Sequence, residues 1–74
     1  MDKNLQKYMA FVETASCGSF TKAAEMLHYS QSGISRMIQD LETEWKVTLL
    51  ERNKSGVRLT GSGMKLLPYA VAIV

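Results

Sequence analysis

Gln31, Ser32, Ser35, Arg36 and Gln39 fall close together in the chain with helical spacing, and their chemistry suits the reading of base edges. A glutamine amide can bond adenine in two places, an arginine fork can pair with guanine or a phosphate, and serines are short enough to allow close approach. Ser30 and Thr21 stand where two helices would begin, so their hydroxyls and the free backbone N–H groups beside them can meet phosphates. A second polar set, Arg52, Asn53, Lys54 and Arg58, brackets a turn. It suits contacts to the phosphate backbone or an adjacent minor groove, which position a protein without specifying sequence. Arg58 has a structural alternative in pairing with Glu51 across a hairpin. Catalysis finds no footing: there is no paired-carboxylate site, no nucleophile with a base and no phosphate-cradling glycine loop. His28 has no Cys or carboxylate at ligand spacing, so no metal site is expected, and no cofactor in this domain. Cys17 is the one cysteine and cannot form an internal disulfide; it reads as a structural thiol.

These side chains need helices to present them. Seventy-four residues make one small domain, which buries only roughly 60% of its unfolded surface. An apolar fraction of 46% argues against disorder. Leu5, Tyr8, Met9, Val12 and Ala15 recur at helical spacing, and Gly18 is placed to end that helix in a left-handed cap. Ser19 caps a second helix with a narrow apolar stripe of Phe20, Ala23, Ala24 and Leu27. His28, Tyr29 and Ser30 form a short break, with Ser30 capping a third helix from Gln31 to about Trp45. On a wheel of ~100° per residue, Ile34, Ile38, Leu41 and Trp45 occupy a wedge of roughly 60°, while Ser32, Ser35, Arg36, Gln39 and Thr43 span roughly 100° opposite them. Two short helices joined by a tight break, the second with a polar outer face, make a helix-turn-helix. Beyond it, the β-prone runs Val47–Leu50 and Val57–Leu59 flank the turn chemistry of Asn53-Lys54-Ser55-Gly56, which predicts a basic two-stranded wing. Thr60 caps a last helix from about Gly61, with Pro68 deep enough inside it to allow a kink. The fold class is therefore mostly α, a winged helix-turn-helix.

Charge follows the same division. Residues 1–51 carry five Lys/Arg against seven Asp/Glu, a net of −2, while residues 52–74 carry four Lys/Arg and no acid. A basic end on a near-neutral body fits a phosphate-facing patch. No continuous apolar run reaches the ~18 residues of a membrane span, and no membrane partner is expected. The polar start Met1-Asp2-Lys3-Asn4 lacks a signal-peptide core, so with its lone thiol the chain is expected to be cytoplasmic.

The run from Gly18 to His28, then Ser30-Gln31-Ser32-Gly33-Ile34-Ser35-Arg36 through Glu42, resembles the N-terminal domain of LysR-type transcriptional regulators. Leu50-Glu51-Arg52, Val57-Arg58-Leu59-Thr60 and Gly63 extend the resemblance over essentially the whole chain. It implies a bacterial transcription regulator with a DNA-binding domain over 1–60 (helix-turn-helix about 20–39, wing about 47–59) and the start of a dimerising linker helix over 61–74. It also implies a larger effector-binding domain, absent here, so the chain is expected to be a fragment that meets a small-molecule effector only through that missing part. By motif position, Gln31, Ser32, Ser35 and Arg36 match the family's groove readers, and Asn53-Lys54 its wing contact. Two departures bear on local structure. Ser32-Gly33 stands where the family often has proline and a small residue, and Gly33 costs about 1 kcal/mol of helix stability relative to alanine. Lys46 stands where the family often has glycine, and must end the third helix at positive φ without glycine's ease.

Met64, Leu67, Val71 and Val74 are spaced 3, 4 and 3, a seam pattern, and Leu66, Ala70, Ala72 and Ile73 make the last helix apolar nearly all round. Such a helix asks for a partner. The expected arrangement is an antiparallel pair with a second copy, a homodimer whose reading helices address a near-palindromic site on double-stranded DNA. The alternative function is a winged-helix protein-interaction module that docks through this apolar helix.

Overall fold

Ser19, Ser30 and Thr60 each begin a helix in the computed structural model, which describes residues 3–54 and 56–73. The elements run α1 (Lys3–Cys17), α2 (Phe20–Leu27), α3 (Gln31–Trp45), β1 (Leu50–Asn53), β2 (Gly56–Leu59) and α4 (Gly61–Ile73). Each cap does the work expected of its hydroxyl. Ser19 Oγ accepts from Lys22 N at 3.2 Å, Ser30 Oγ from Gly33 N at 3.0 Å, and Thr60 Oγ1 from Gly63 N at 2.9 Å. Each bond satisfies a backbone donor that the helix start leaves without a partner. The helix ends use left-handed residues: Gly18 at φ 67, His28 at φ 62 and Lys46 at φ 58. Lys46 thus ends α3 as its position required. His28 shortens the link between α2 and α3 to three residues, and Tyr29 N returns to Ala24 O at 2.9 Å.

The core lies between α1 and the elements wrapped around it. Phe11, Ile34, Leu41 and Leu49 are fully buried, with Phe20, Ala23, Ala24, Ile38 and Leu50 beside them. Leu27 and Trp45, expected in the core, are half-buried at its edge, and Tyr8 and Trp45 stack with ring centroids 5.4 Å apart. The deepest side of α1 differs from the expected stripe. Ala10, Phe11 and Thr14 are buried, whereas Leu5, Tyr8, Met9, Val12 and Ala15 are half-buried. The reason is that α1 packs on α2, α3, α4 and β2 together, so small Ala10 and Thr14 sit where neighbours come closest.

The wing is shorter and later than its β-prone residues suggest. Strand pairing runs from Leu50↔Leu59 to Asn53↔Gly56, so Val47–Leu49 is not strand. No partner is left for it, because the chain beyond Leu59 turns at once into α4. That segment is instead a junction. Glu42 on α3 accepts from Leu49 N at 2.7 Å and Leu50 N at 3.3 Å through one carboxylate oxygen. From the other side, Thr60 N donates to Leu49 O at 3.0 Å and Thr60 Oγ1 donates to Thr48 O. β2 is tied in turn to the α1–α2 corner, where Val57 N donates to Gly18 O at 3.1 Å. Gly56 permits this approach with φ 129, and a Cβ there would lie 2.7 Å from Gly18 O. Of the turn residues, Ser55 lies outside the described residues.

Glu42 therefore fixes the angle between α3 and the wing. Hydrogen bonds to a charged group contribute about 1.5–3 kcal/mol each, and those to Leu49 and Leu50 are only partly buried. Glu42→Ala is expected to destabilise the domain by about 2 kcal/mol, read as a lower urea midpoint. Glu42→Gln, which keeps one acceptor oxygen, should recover about half of that.

Candidate nucleic-acid interface

Gln31, Ser32, Ser35, Arg36, Gln39 and Arg52 line one open concavity of about 760 Å³ between α3 and the wing. Five of these six lie on the polar face of α3. The face exists because Ile34, Ile38 and Leu41 hold the opposite side of α3 in the core. α2 supports it from behind, where the small Ala23 and Ala24 let helices approach closely.

Four contacts organise the concavity. Thr21 Oγ1 donates to Gln31 Oε1 at 3.3 Å, joining the first turn of α2 to the first turn of α3. Ser30 and Ser32 share a hydrogen bond of 3.5 Å at the cap. Arg52 reaches from β1, its Nη2 donating to Ser35 Oγ at 2.8 Å and its guanidinium lying 4.2 Å from the centroid of the Phe20 ring. A cation over an aromatic face is attracted by the ring quadrupole, by about 0.5–1 kcal/mol at exposed sites. Arg52, expected as a wing contact to backbone phosphate, thus stands in the concavity beside α3. The sequence gives no direct sign of this pairing, because Ser35 and Arg52 are 17 residues apart.

Other expected residues occupy the rim. Arg36 and Gln39 are exposed and have no hydrogen-bond or ion-pair partner among the described residues. Gly33 is the third residue of α3, and a Cβ on it would come 3.0 Å from Ser30 Oγ, crowding the cap that fixes the helix start. Asn53 and Lys54 are exposed at the wing tip. Arg58 is exposed and sits opposite Glu51 in the hairpin register, but no ion pair joins the two, so its structural alternative is not formed.

Away from the concavity, α4 continues through Pro68 to Ile73 without a break. Gly63 and Ala70 are buried, with Leu66 and Leu67 half-buried against the core. The expected seam is divided: Met64 and Val71 are 63% and 54% exposed, Leu67 packs on its own domain, and Val74 lies outside the described residues. Pro68 joins Met64 and Val71 on the exposed strip. Cys17 is half-buried, and burial pushes its thiol up; Glu13, whose carboxylate accepts from Sγ at 3.5 Å, raises it further, and Lys22 opposes both weakly. A raised thiol holds less thiolate and is a poorer nucleophile. Among the described residues no three His, Cys, Asp or Glu side chains gather as metal ligands, and no helix is long and apolar enough to cross a membrane.

Known proteins share this arrangement. Residues 5–64 match the family described as bacterial regulatory helix-turn-helix protein, lysR family. The chain is 41% identical over 71 residues to the HTH-type transcriptional regulator GalR of Pseudomonas putida, a match covering 96% of this chain and 18% of that protein. It is 40% identical over 74 residues to the HTH-type transcriptional regulator HdfR of Escherichia coli, covering 100% of this chain and 26% of that one. The chain thus spans about a fifth to a quarter of the length of these relatives. Among solved structures it is similar to BenM_DBD in its complex with catB site 1 DNA, with TM-score 0.88 and 38% identity over 99% of this chain and 80% of that one.

Proposed function

The chain belongs to the lysR family of bacterial regulatory helix-turn-helix proteins, and on that footing we propose that it binds double-stranded DNA sequence-specifically as the DNA-binding part of a transcription regulator. The observation that carries this reading is the concavity between α3 and the wing, which is lined by amide, hydroxyl and guanidinium groups and by no carboxylate. α3 enters the major groove with Gln31, Ser32, Ser35, Arg36 and Gln39 toward base edges. Lys54 and Arg58 follow the backbone or the neighbouring minor groove, and Thr21, Ser30 and Asn53 add contacts near phosphates. The similar BenM_DBD is solved in a complex with DNA, which supports DNA binding by this fold. The domain needs no cofactor for this, and no catalytic role is assigned to it.

α4 supplies the partner surface. Its exposed Met64, Pro68 and Val71, with Leu67 at their edge, form the start of a linker helix that pairs two copies and sets two reading helices on a near-palindromic site. The exposed apolar strip also favours a second reading, a docking module for another protein, and DNA binding separates the two.

Fluorescence anisotropy of labelled genomic duplexes at two salt concentrations tests the proposal. Binding that weakens steeply with salt is expected, and flat curves at low salt overturn it. In the same titration Lys54→Ala should weaken binding to all sequences alike, and should reduce the salt slope by about 1 for each phosphate contact it removes. An unchanged slope would remove Lys54 from the interface.

A further inference from the structure

Ser35 and Arg52 meet in a way that sets which half of a hydrogen bond the reading face offers. A guanidinium only donates, so Ser35 Oγ, 2.8 Å from Arg52 Nη2, is the acceptor of that pair. Its own proton is then turned away from Arg52. The adjacent positive charge weakens the remaining lone pair as an acceptor and strengthens the O–H as a donor. Gln31 is constrained in the same sense. Its Oε1 accepts from Thr21 Oγ1 at 3.3 Å, which occupies one of the two lone pairs and leaves both amide N–H donors for a new partner. Arg36 has only donors to give. Four of the six groups lining the concavity, Gln31, Ser35, Arg36 and Arg52, therefore present donors, and no carboxylate stands among them.

Base edges differ in what they return. Adenine N6 and cytosine N4 are donors, for which this wall keeps mainly Ser32 and Gln39 as acceptors, whereas guanine shows two acceptors, N7 and O6, side by side in the major groove, matching the donors that dominate the wall. Bidentate pairing of Gln31 with adenine would have to share its amide oxygen with Thr21, whereas donation from the NH₂ is unencumbered. We infer that the concavity reads guanine, and that Arg52 is a positioning residue that holds Ser35 as a donor toward it. The inference rests on the DNA-binding reading above and adds the base.

The test begins with selection of duplexes bound by the 74-residue chain from a random pool, followed by replacement of each enriched guanine, one at a time, with 7-deazaguanine. That base keeps its pairing and loses only the N7 acceptor. At least one guanine in each half-site should prove sensitive, with binding weakened roughly tenfold. Ser35→Ala and Arg52→Ala should both relax the preference at one and the same position by about fivefold or more, leaving the other positions ordered as before. Arg52→Lys, still able to donate to Ser35, should keep it. Ser35→Ala leaves the stacking of Arg52 on Phe20 in place, so it reads the hydroxyl without that support being lost. Enriched sites that tolerate 7-deazaguanine everywhere, or an Arg52→Ala variant weakened equally on all sequences, would overturn the inference while leaving DNA binding intact. Failure to enrich any duplex, with no binding at low salt, would overturn the DNA-binding reading itself and this inference with it.

Discussion

Gly63→Ala is expected to destabilise the domain by about 3 kcal/mol or more, the upper end of what overpacking a close contact costs. Gly63 is the third residue of α4, where the helix passes over the backbone of Leu49. A Cβ there would fall well inside van der Waals contact with the Leu49 carbonyl oxygen, 3.1 Å from the carbonyl carbon and 3.0 Å from Leu59 Cδ2. The oxygen cannot step aside. It accepts from Thr60 N, and the N–H of the same residue is held by Glu42. Either α4 lifts from the junction, breaking the Thr60 cap, or the junction shifts and takes the wing with it. At about 4–8 °C per kcal/mol for a domain of this size, thermal unfolding followed by circular dichroism should show a Tm lower by some 12–24 °C. Gly61→Ala, two residues earlier with nothing within 4 Å of its Cβ, provides the contrast. It should leave Tm unchanged or raise it slightly, by up to about 1 kcal/mol of helix propensity. Equal losses in the two variants would mean that flexibility at the start of α4, not the contact with Leu49, is what Gly63 supplies.

The difference between these two glycines marks the boundary of what residue types alone reveal. Helix starts are local events, so Ser19, Ser30 and Thr60 could be read as caps from their place before a periodic run. The two faces of α3 follow from a 3.6-residue period and were equally legible. Lys46 at positive φ followed from the family resemblance, in which glycine often holds that place. What depends on tertiary contact was not legible. Val47–Leu49 has strand-forming side chains, but whether it pairs depends on where the opposite chain turns into α4. Glu42 looks like any solvated acid near a helix end until Leu49 and Leu50 bring their N–H groups to it. The deep side of α1 depends on how many neighbours crowd it, and periodicity names only one face. Arg52 is the instructive case for the site. Its charge announces a nucleic-acid surface, but its stacking on Phe20 and its bond to Ser35 join three elements that no spacing rule connects. The polar wall was thus readable residue by residue, whereas its donor polarity belongs to pairs formed by folding.

Arg36→Ala isolates that wall from the fold, and it carries the largest expected effect on binding. Arg36 is exposed on α3 and has no hydrogen-bond or ion-pair partner among the described residues. Its truncation should therefore shift stability by no more than about 0.5 kcal/mol, since alanine is itself the best helix former. A loss of binding in a variant with unchanged Tm can only come from the DNA side. One well-placed arginine fork on guanine is worth about 1–3 kcal/mol. In a two-fold complex the substitution removes it from both half-sites, so affinity for the selected site should fall about 100-fold or more at fixed salt. Affinity for unrelated duplexes should fall far less, because only a charge is lost there. Arg36→Lys separates the two contributions. It keeps the charge, and with it the salt slope, but loses the planar fork that matches N7 and O6 together. The selected site should then lose most of its advantage over unrelated DNA while overall salt dependence stays as it was. If Arg36→Ala binds the selected duplex within about threefold of the parent chain, a change of only ~0.7 kcal/mol, the reading face lies elsewhere on α3. Gln39, the exposed residue one turn further along that face, becomes the next to test.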